Sequence, residues 1–206
     1  PEQFSALRER FLQPCADQNM QVANLTTPAQ YFHILRRQVI REVAKPLVLM
    51  TPKSLLGLPE CVSTVDDLAT GTYFHEILDD YRRPCVPGDV NRIVFCSGKV
   101  YYDLLAHRTK EELDDTVIIR IEQLYPLHQD CLMQVVGQYE HAHKWVWCQE
   151  EPLNMGAWSY IGPRVQKLTP YKIRYAGRER ASRPATGAKT IHKLEQKKLV
   201  QQAFTL

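Results

Sequence analysis

The sequence predicts an α/β fold: a mainly parallel sheet flanked by helices. Three observations carry that expectation. The strand-like runs KPLVLMT (45–51), RIVFCS (92–97) and TVIIRIEQ (116–123) have apolar centres rather than alternating patterns, as strands covered on both faces do. Helical segments with one apolar side lie between them. The strand–helix alternation also runs from Val22 to the C-terminus with one interruption, as parallel sheets require.

The elements follow in order. VANL (22–25) is a short apolar strand. Thr27 then suits a helix N-cap, Pro28 the first turn, and Gln30 stands three residues on, as a capping box requires. This helix is expected to reach about Glu42 with Phe32, Leu35 and Val39 on one face. Strand 45–51 comes next. Residues 52–91 hold Pro52, Pro59, Pro84 and Pro87 and only weak periodicity, with at most a short helix from Ser63 to Ala69 capped by Ser63 and Asp66. Most of this stretch reads as an interdomain linker. Strand 92–97 leads through Gly98 into a helix carrying Val100, Tyr101, Leu104 and Leu105. After strand 116–123, a helix from about His128 to Tyr139 buries Cys131, Leu132, Val135 and Val136. KWVWCQ (144–149) is a third strand, followed by a helix from near Asn154 that Pro163 must break or kink. YKIRYAG (171–177) is the last strand, and the C-terminal helix ends in Leu199, Val200, Ala203 and Phe204.

Bulk properties narrow the function. With 26 basic and 23 acidic residues the net charge is +3, too small to argue for nucleic acid. No apolar run approaches the ~20 residues of a membrane helix. The N-terminal PEQFSALRERFLQPC is charged where a signal peptide would be apolar. Six scattered cysteines form no CxxC pair and no Cys/His ligand spacing, which suits a reducing, cytoplasmic compartment and supports neither a metal site nor a disulfide framework. Lacking an initiator Met, the chain reads as a fragment.

Ligands of parallel α/β sheets sit beyond the carboxyl ends of strands, so three polar strand ends are candidates: Ser97-Gly98-Lys99, Glu122-Gln123 and Gln149-Glu150-Glu151. Glu150 and Glu151 are adjacent, and neighbouring strand residues point to opposite faces. They are expected to be structural or interface residues, with Glu151 near the next helix start, rather than a catalytic pair. Gly98-Lys99 fits no complete phosphate-loop motif and reads as a tight turn. The seven histidines are dispersed, His141 and His143 on a loop, and no nucleophile–base constellation is legible. No catalytic residue is assigned. The most basic stretch, YAGRERASRPATGAKTIHK (175–193), offers Arg178, Arg180, Arg183 and Lys189 as an effector or anion site, since loop arginines suit phosphates and carboxylates. Its alternative is a solvated loop.

Six ordered motifs together resemble one family. TTPAQYFHILRRQ (26–38), KPLVLMTPKSLL (45–56), SGKVYYDLL (97–105), RIEQLYP (120–126), WCQEEPLNMGAW (147–158) and RYAGRERASRPATG (174–187) are similar to the C-terminal part of the thiamine diphosphate-dependent first component of the 2-oxoglutarate dehydrogenase complex. The resemblance implies a transketolase C-terminal-domain-like fold. Residues 1–56 would close a pyrimidine-binding domain, 57–91 would be a linker, and 92–206 the C-terminal domain. It also implies, for the whole enzyme, thiamine diphosphate and magnesium, oxidative decarboxylation of 2-oxoglutarate, a homodimer and a lipoyl-bearing succinyltransferase partner. Location would be cytoplasmic, or the mitochondrial matrix in a eukaryote. This chain alone is expected to bind no cofactor and to be inactive. Its third domain would support the dimer, with Glu150 and Glu151 as organising positions and Trp158 as an apolar anchor. The family's PEHSSAR appears here as PEQFSAL, with Gln3 in place of His, and its GRPASASPA as GRERASRPA, which adds Arg180 and Arg183. Coenzyme A or an adenine nucleotide is the effector implied for that loop. Two other readings are a stand-alone regulatory or assembly domain and a relative specific for 2-oxoadipate.

Overall fold

The computed structural model describes residues 7–206; Gln3 lies outside the described residues. Two sheets form. The smaller has the order β2-β1-β6, with β1 (Gln21–Asn24) parallel to β2 (Leu47–Met50) and antiparallel to β6 (Gln123–Tyr125). The larger has the order β3-β5-β4-β7-β8. In it β4 (Arg92–Cys96), β5 (Thr116–Ile121), β7 (Lys144–Pro152) and β8 (Ile173–Arg178) are parallel, and β3 (Ile77–Leu78) adds an antiparallel edge. The sheets are therefore mainly parallel with antiparallel edges.

The apolar strands have the predicted cause. Ile93, Phe95, Val117, Ile119, Trp145 and Trp147 point to one face of the large sheet, against α4 (Gln129–Val136) and α5 (Trp158–Gln166). Val94, Cys96, Ile118, Val146 and Cys148 point to the other, against α3 (Val100–Lys110) and α6 (Lys189–Thr205). With helices on both faces, every strand position is a core position. Leu199, Val200, Ala203 and Phe204 of α6 are buried as expected.

The small sheet is less complete. A five-residue helix, α1 (Arg8–Leu12), precedes β1. The helix after it, α2 (Pro28–Ile40), starts as the sequence predicts, with Thr27 accepting a hydrogen bond from the Gln30 N–H at 3.2 Å. Its inward residues, however, are Ala29, Gln30, His33 and Ile34. Phe32, Leu35 and Val39 are exposed, Val39 by 85%. The expected apolar face thus points away from the core of Ala23, Leu25, Ile34 and Phe74 that this helix covers. Strand β2 is likewise half-exposed rather than covered on both faces, because it is the edge of its sheet.

Residues 57–91, expected as a linker, are stitched to both sheets. The Gln30 side chain donates to the His75 carbonyl at 2.5 Å and accepts from its N–H at 3.1 Å. Strand β3 pairs with β5, and Phe74, Ile77, Asp80 and Val90 are buried. Side-chain partners replace the regular ladder that weak periodicity denies this stretch. The expected Ser63/Asp66 cap is displaced by one residue: Asp67 accepts from Thr64 N and Oγ1 at 2.7 and 2.9 Å, while Ser63 Oγ accepts from Ala29 N at 3.0 Å.

Two further boundaries move. TVIIRIEQ, expected as one strand, divides at Glu122, where the chain leaves the large sheet and enters the small one. Helix α5 begins at Trp158 rather than near Asn154, and it continues through Pro163. Proline removes one donor there, and the buried Ile161 and Val165 on either side hold the helix in register.

Candidate functional site

The large sheet runs outward from β4 to β5 and then returns to β7 on the other side, so its switch point lies between the carboxyl ends of β4 and β7. That is where ligands of open parallel sheets bind. The residues there are Gly98, Lys99 and Glu150. Gly98 has φ +75, and a Cβ would stand 2.1 Å from Asn24 Nδ2, so glycine is required both for the left-handed turn and for the approach of β1. Lys99 forms an ion pair with Glu150. The Gln196 amide joins Glu150 Oε1 at 2.9 Å to Asp103 Oδ2 at 2.8 Å. Burial, and next Glu150, push the Asp103 carboxyl up, while the Gln196 hydrogen bond pulls it down.

Glu151 faces the other way and pairs with Arg8 at 2.6 Å. It is not at a helix start, because β7 extends through both glutamates to Pro152, which pairs with Arg178 after a register shift. The non-local β8 pairing overrides the turn signal of the Pro and Gly that follow. Each carboxylate has its own cation on its own side. Both still border a cleft of about 240 Å³ with Arg8, Asn24, Lys99, Arg178 and His192. Trp158 packs its ring on Tyr175 at 5.3 Å and against Gly162, where a Cβ would lie 2.8 Å from the indole.

The third polar strand end is a buried junction. Glu122 is wholly buried; Oε1 accepts from Thr26 Oγ1 at 2.6 Å and Oε2 from Thr26 N at 2.9 Å. Arg120, also wholly buried, donates to Thr26 Oγ1 at 2.9 Å and lies 4.2 Å from the Tyr101 ring. Burial raises the Glu122 carboxyl above its ordinary value, against the pull of Arg120. Asp80 and Arg108 form a buried ion pair, and neither it nor the Glu122–Thr26 junction was legible beyond the polar ending of RIEQ.

Of the basic stretch, Arg178 is already engaged: its Nε lies 3.1 Å from Glu195 and its Nη2 is 2.9 Å from His192 Nδ1. Burial first, and then Arg178, lower the His192 pKa. Arg178, Arg180 and Arg183 border one cavity of about 340 Å³, between residues 179–186 and α6. Lys189 does not line it; Lys198, which the sequence reading missed, does. The missed signal is helical spacing, since Glu195, Lys198, Leu199 and Gln202 share one face of α6. All six cysteines are free, and among the described residues no group of three or more His, Cys, Asp or Glu could hold a metal. No described helix is long and apolar enough to cross a membrane.

Helices on both faces of a mainly parallel sheet, beside a smaller three-stranded mixed sheet, make this an α/β protein. A solved split-gene transketolase, an inactive β4 tetramer, superposes with TM-score 0.58 at 16% identity, over 91% of this chain and 58% of that one. Residues 1–59 match the transketolase pyrimidine binding domain, and residues 62–204 match the 2-oxoglutarate dehydrogenase C-terminal family. The chain belongs to that latter family. It is 48% identical to the 2-oxoglutarate dehydrogenase E1 component of Azotobacter vinelandii over 211 residues, covering 100% of this chain and 22% of the relative. Against the Brucella abortus (strain 2308) E1 component, identity is again 48%, over 93% of this chain and 20% of the relative. The chain thus spans about a fifth of the length of the curated relatives it matches.

Proposed function

We propose that this chain works as the carboxyl-terminal part of a 2-oxoglutarate dehydrogenase first component, a cytoplasmic enzyme that decarboxylates 2-oxoglutarate and passes the succinyl group to a lipoyl group on a succinyltransferase. The observation that carries this reading is the 48% identity to E1 components along the whole chain. Thiamine diphosphate, held through magnesium, would act as the electron sink for the decarboxylation. No step of the reaction is assigned to residues of this chain.

What the chain's own residues do is hold shape. Glu122 ties the strand leaving the large sheet to Thr26 of the small one, and Glu150 and Glu151 fix α3, α6 and α1 around the switch point. Those contacts suit a lobe that supports a homodimer. The cationic cavity beside α6 is the place for an anionic effector, coenzyme A or an adenine nucleotide.

The test is an assay of the full-length protein with thiamine diphosphate, magnesium and a lipoyl domain. Reductive succinylation of the lipoyl group from 2-oxoglutarate is expected. Turnover of 2-oxoadipate with none of 2-oxoglutarate would replace this reading with its relative.

A further inference from the structure

We infer that the first two turns of α6 are a latch, closed on β8 by neutral His192 and released when His192 takes up a proton.

Nothing apolar seats this half of the helix. No residue from 189 to 198 is buried, and Ile191 and Leu194 are 51% and 66% exposed. The buried residues of α6 are Leu199, Val200, Ala203 and Phe204, and Ala188 gives the N-terminus no side-chain cap. Polar contacts therefore hold the first two turns, and most converge on one group. The Arg178 guanidinium at the end of β8 meets three α6 side chains: His192 Nδ1 at 2.9 Å, Glu195 Oε2 at 3.1 Å and Gln196 Oε1 at 3.4 Å. Gln196 also donates to Glu150 Oε1 on β7 and to Asp103 Oδ2 on α3. A segment with few buried apolar contacts opens more readily than the core behind it, so the loss of one such contact is felt at His192 and not at Phe204.

The closing bond has a fixed protonation state. A guanidinium has donors and no acceptor. His192 Nδ1 must therefore accept, which leaves the ring neutral with its proton on Nε2. A second proton would go to Nδ1, set one N–H against another and bring two positive charges into contact. The surroundings oppose that proton on balance. Burial first, then Arg178, lower the His192 pKa; Lys99 adds to them, while Glu150 and Glu195 pull the other way. Asp103 on α3 also feels this ring. Across the cleft that His192 borders, Arg8 and Glu151 satisfy each other, and Glu9 accepts from the Gly156 N–H. The closed state thus binds the proton less readily than the open one. The contribution of His192 is full above the ordinary histidine value, about 6.5, and is lost as pH falls from there through the lowered one. Release would uncover the cleft at the switch point, with Lys99 and Glu150 on its wall.

Hydrogen exchange on the full-length protein, read by mass spectrometry at about pH 7.5 and about pH 5 and corrected for the intrinsic pH dependence of exchange, tests the latch. Amides of residues 192–196 are expected to lose protection by about tenfold at the lower pH, the share of one hydrogen bond to a charged group. Those of residues 199–204 should stay within about twofold. His192→Asn puts an oxygen where Nδ1 stands and cannot titrate, so residues 192–196 should keep their protection at both pH values. His192→Phe keeps a ring without an acceptor, so the segment should exchange fast at both. The latch is excluded by equal protection at the two pH values in the unsubstituted protein, or by a pH step that survives in His192→Asn, which would assign the step to the carboxylates. It is also excluded if His192→Phe protects the segment as well as His192→Asn at the higher pH, or if residues 199–204 lose protection equally.

Discussion

Glu122→Ala is expected to destabilise the chain by about 2–5 kcal/mol, since each of the two buried Thr26 donors left unpaired costs about 1–3 kcal/mol. Both Glu122 oxygens are used by Thr26, and Arg120 beside them is wholly buried with Nε and Nη2 already unpartnered. Removing the carboxyl leaves that guanidinium and the two Thr26 donors with nothing to face. Glu122→Gln keeps the volume but turns one acceptor into a donor, so a smaller loss of about 1–3 kcal/mol follows. Denaturant midpoints at constant slope report both. The pH dependence has a definite sign. Burial raises the Glu122 carboxyl in the folded chain, so the folded state holds its proton longer than the unfolded one. This residue's contribution to stability is therefore full below the ordinary glutamate value and falls as pH rises through the raised one. Glu122→Gln should remove that slope.

Asp80→Ala is the second large effect, about 3–5 kcal/mol, the cost of breaking a buried charged pair from one side. Asp80 is fully buried and pairs with Arg108, itself 3% exposed. Its oxygens also accept from Ile118 N at 2.8 Å and Arg82 N at 3.1 Å. One carboxylate thus holds α3, β5 and the 57–91 stretch together. Its loss should lower the unfolding midpoint and also speed amide exchange at Ile77 and Leu78 of β3. Midpoint loss with β3 exchange unchanged would mean that the stretch is anchored elsewhere.

What the sequence made legible was local. The Thr27 cap and Pro28 turn involve four neighbouring residues, and the apolar runs IVFC (93–96) and VII (117–119) follow from helices on both faces. The errors arose where a distant partner decides. Phe32, Leu35 and Val39 have helical spacing and apolar character, yet Ile34 faces the core and the stripe does not; spacing shows that a face is apolar, not what covers it. Glu150 and Glu151 precede a Pro and a Gly that read as a turn, but pairing of Pro152 with Arg178 keeps them in a strand. Asp79 and Asp80 are indistinguishable neighbours in a polar stretch, and only contact with Arg108 makes Asp80 a core residue. The basic stretch shows the same limit within the candidate site. Three of its arginines meet at one cavity, Lys189 does not, and the residue that completes the wall, Lys198, arrives from the middle of α6.

The proposed function makes these residues a supporting lobe, with the reactive centre on other polypeptide. Residues 1–206 alone, mixed with thiamine diphosphate, magnesium and 2-oxoglutarate, should release no carbon dioxide above the protein-free rate. Thiamine-dependent release that scales with the concentration of this chain would place the reactive centre within it and contradict the account.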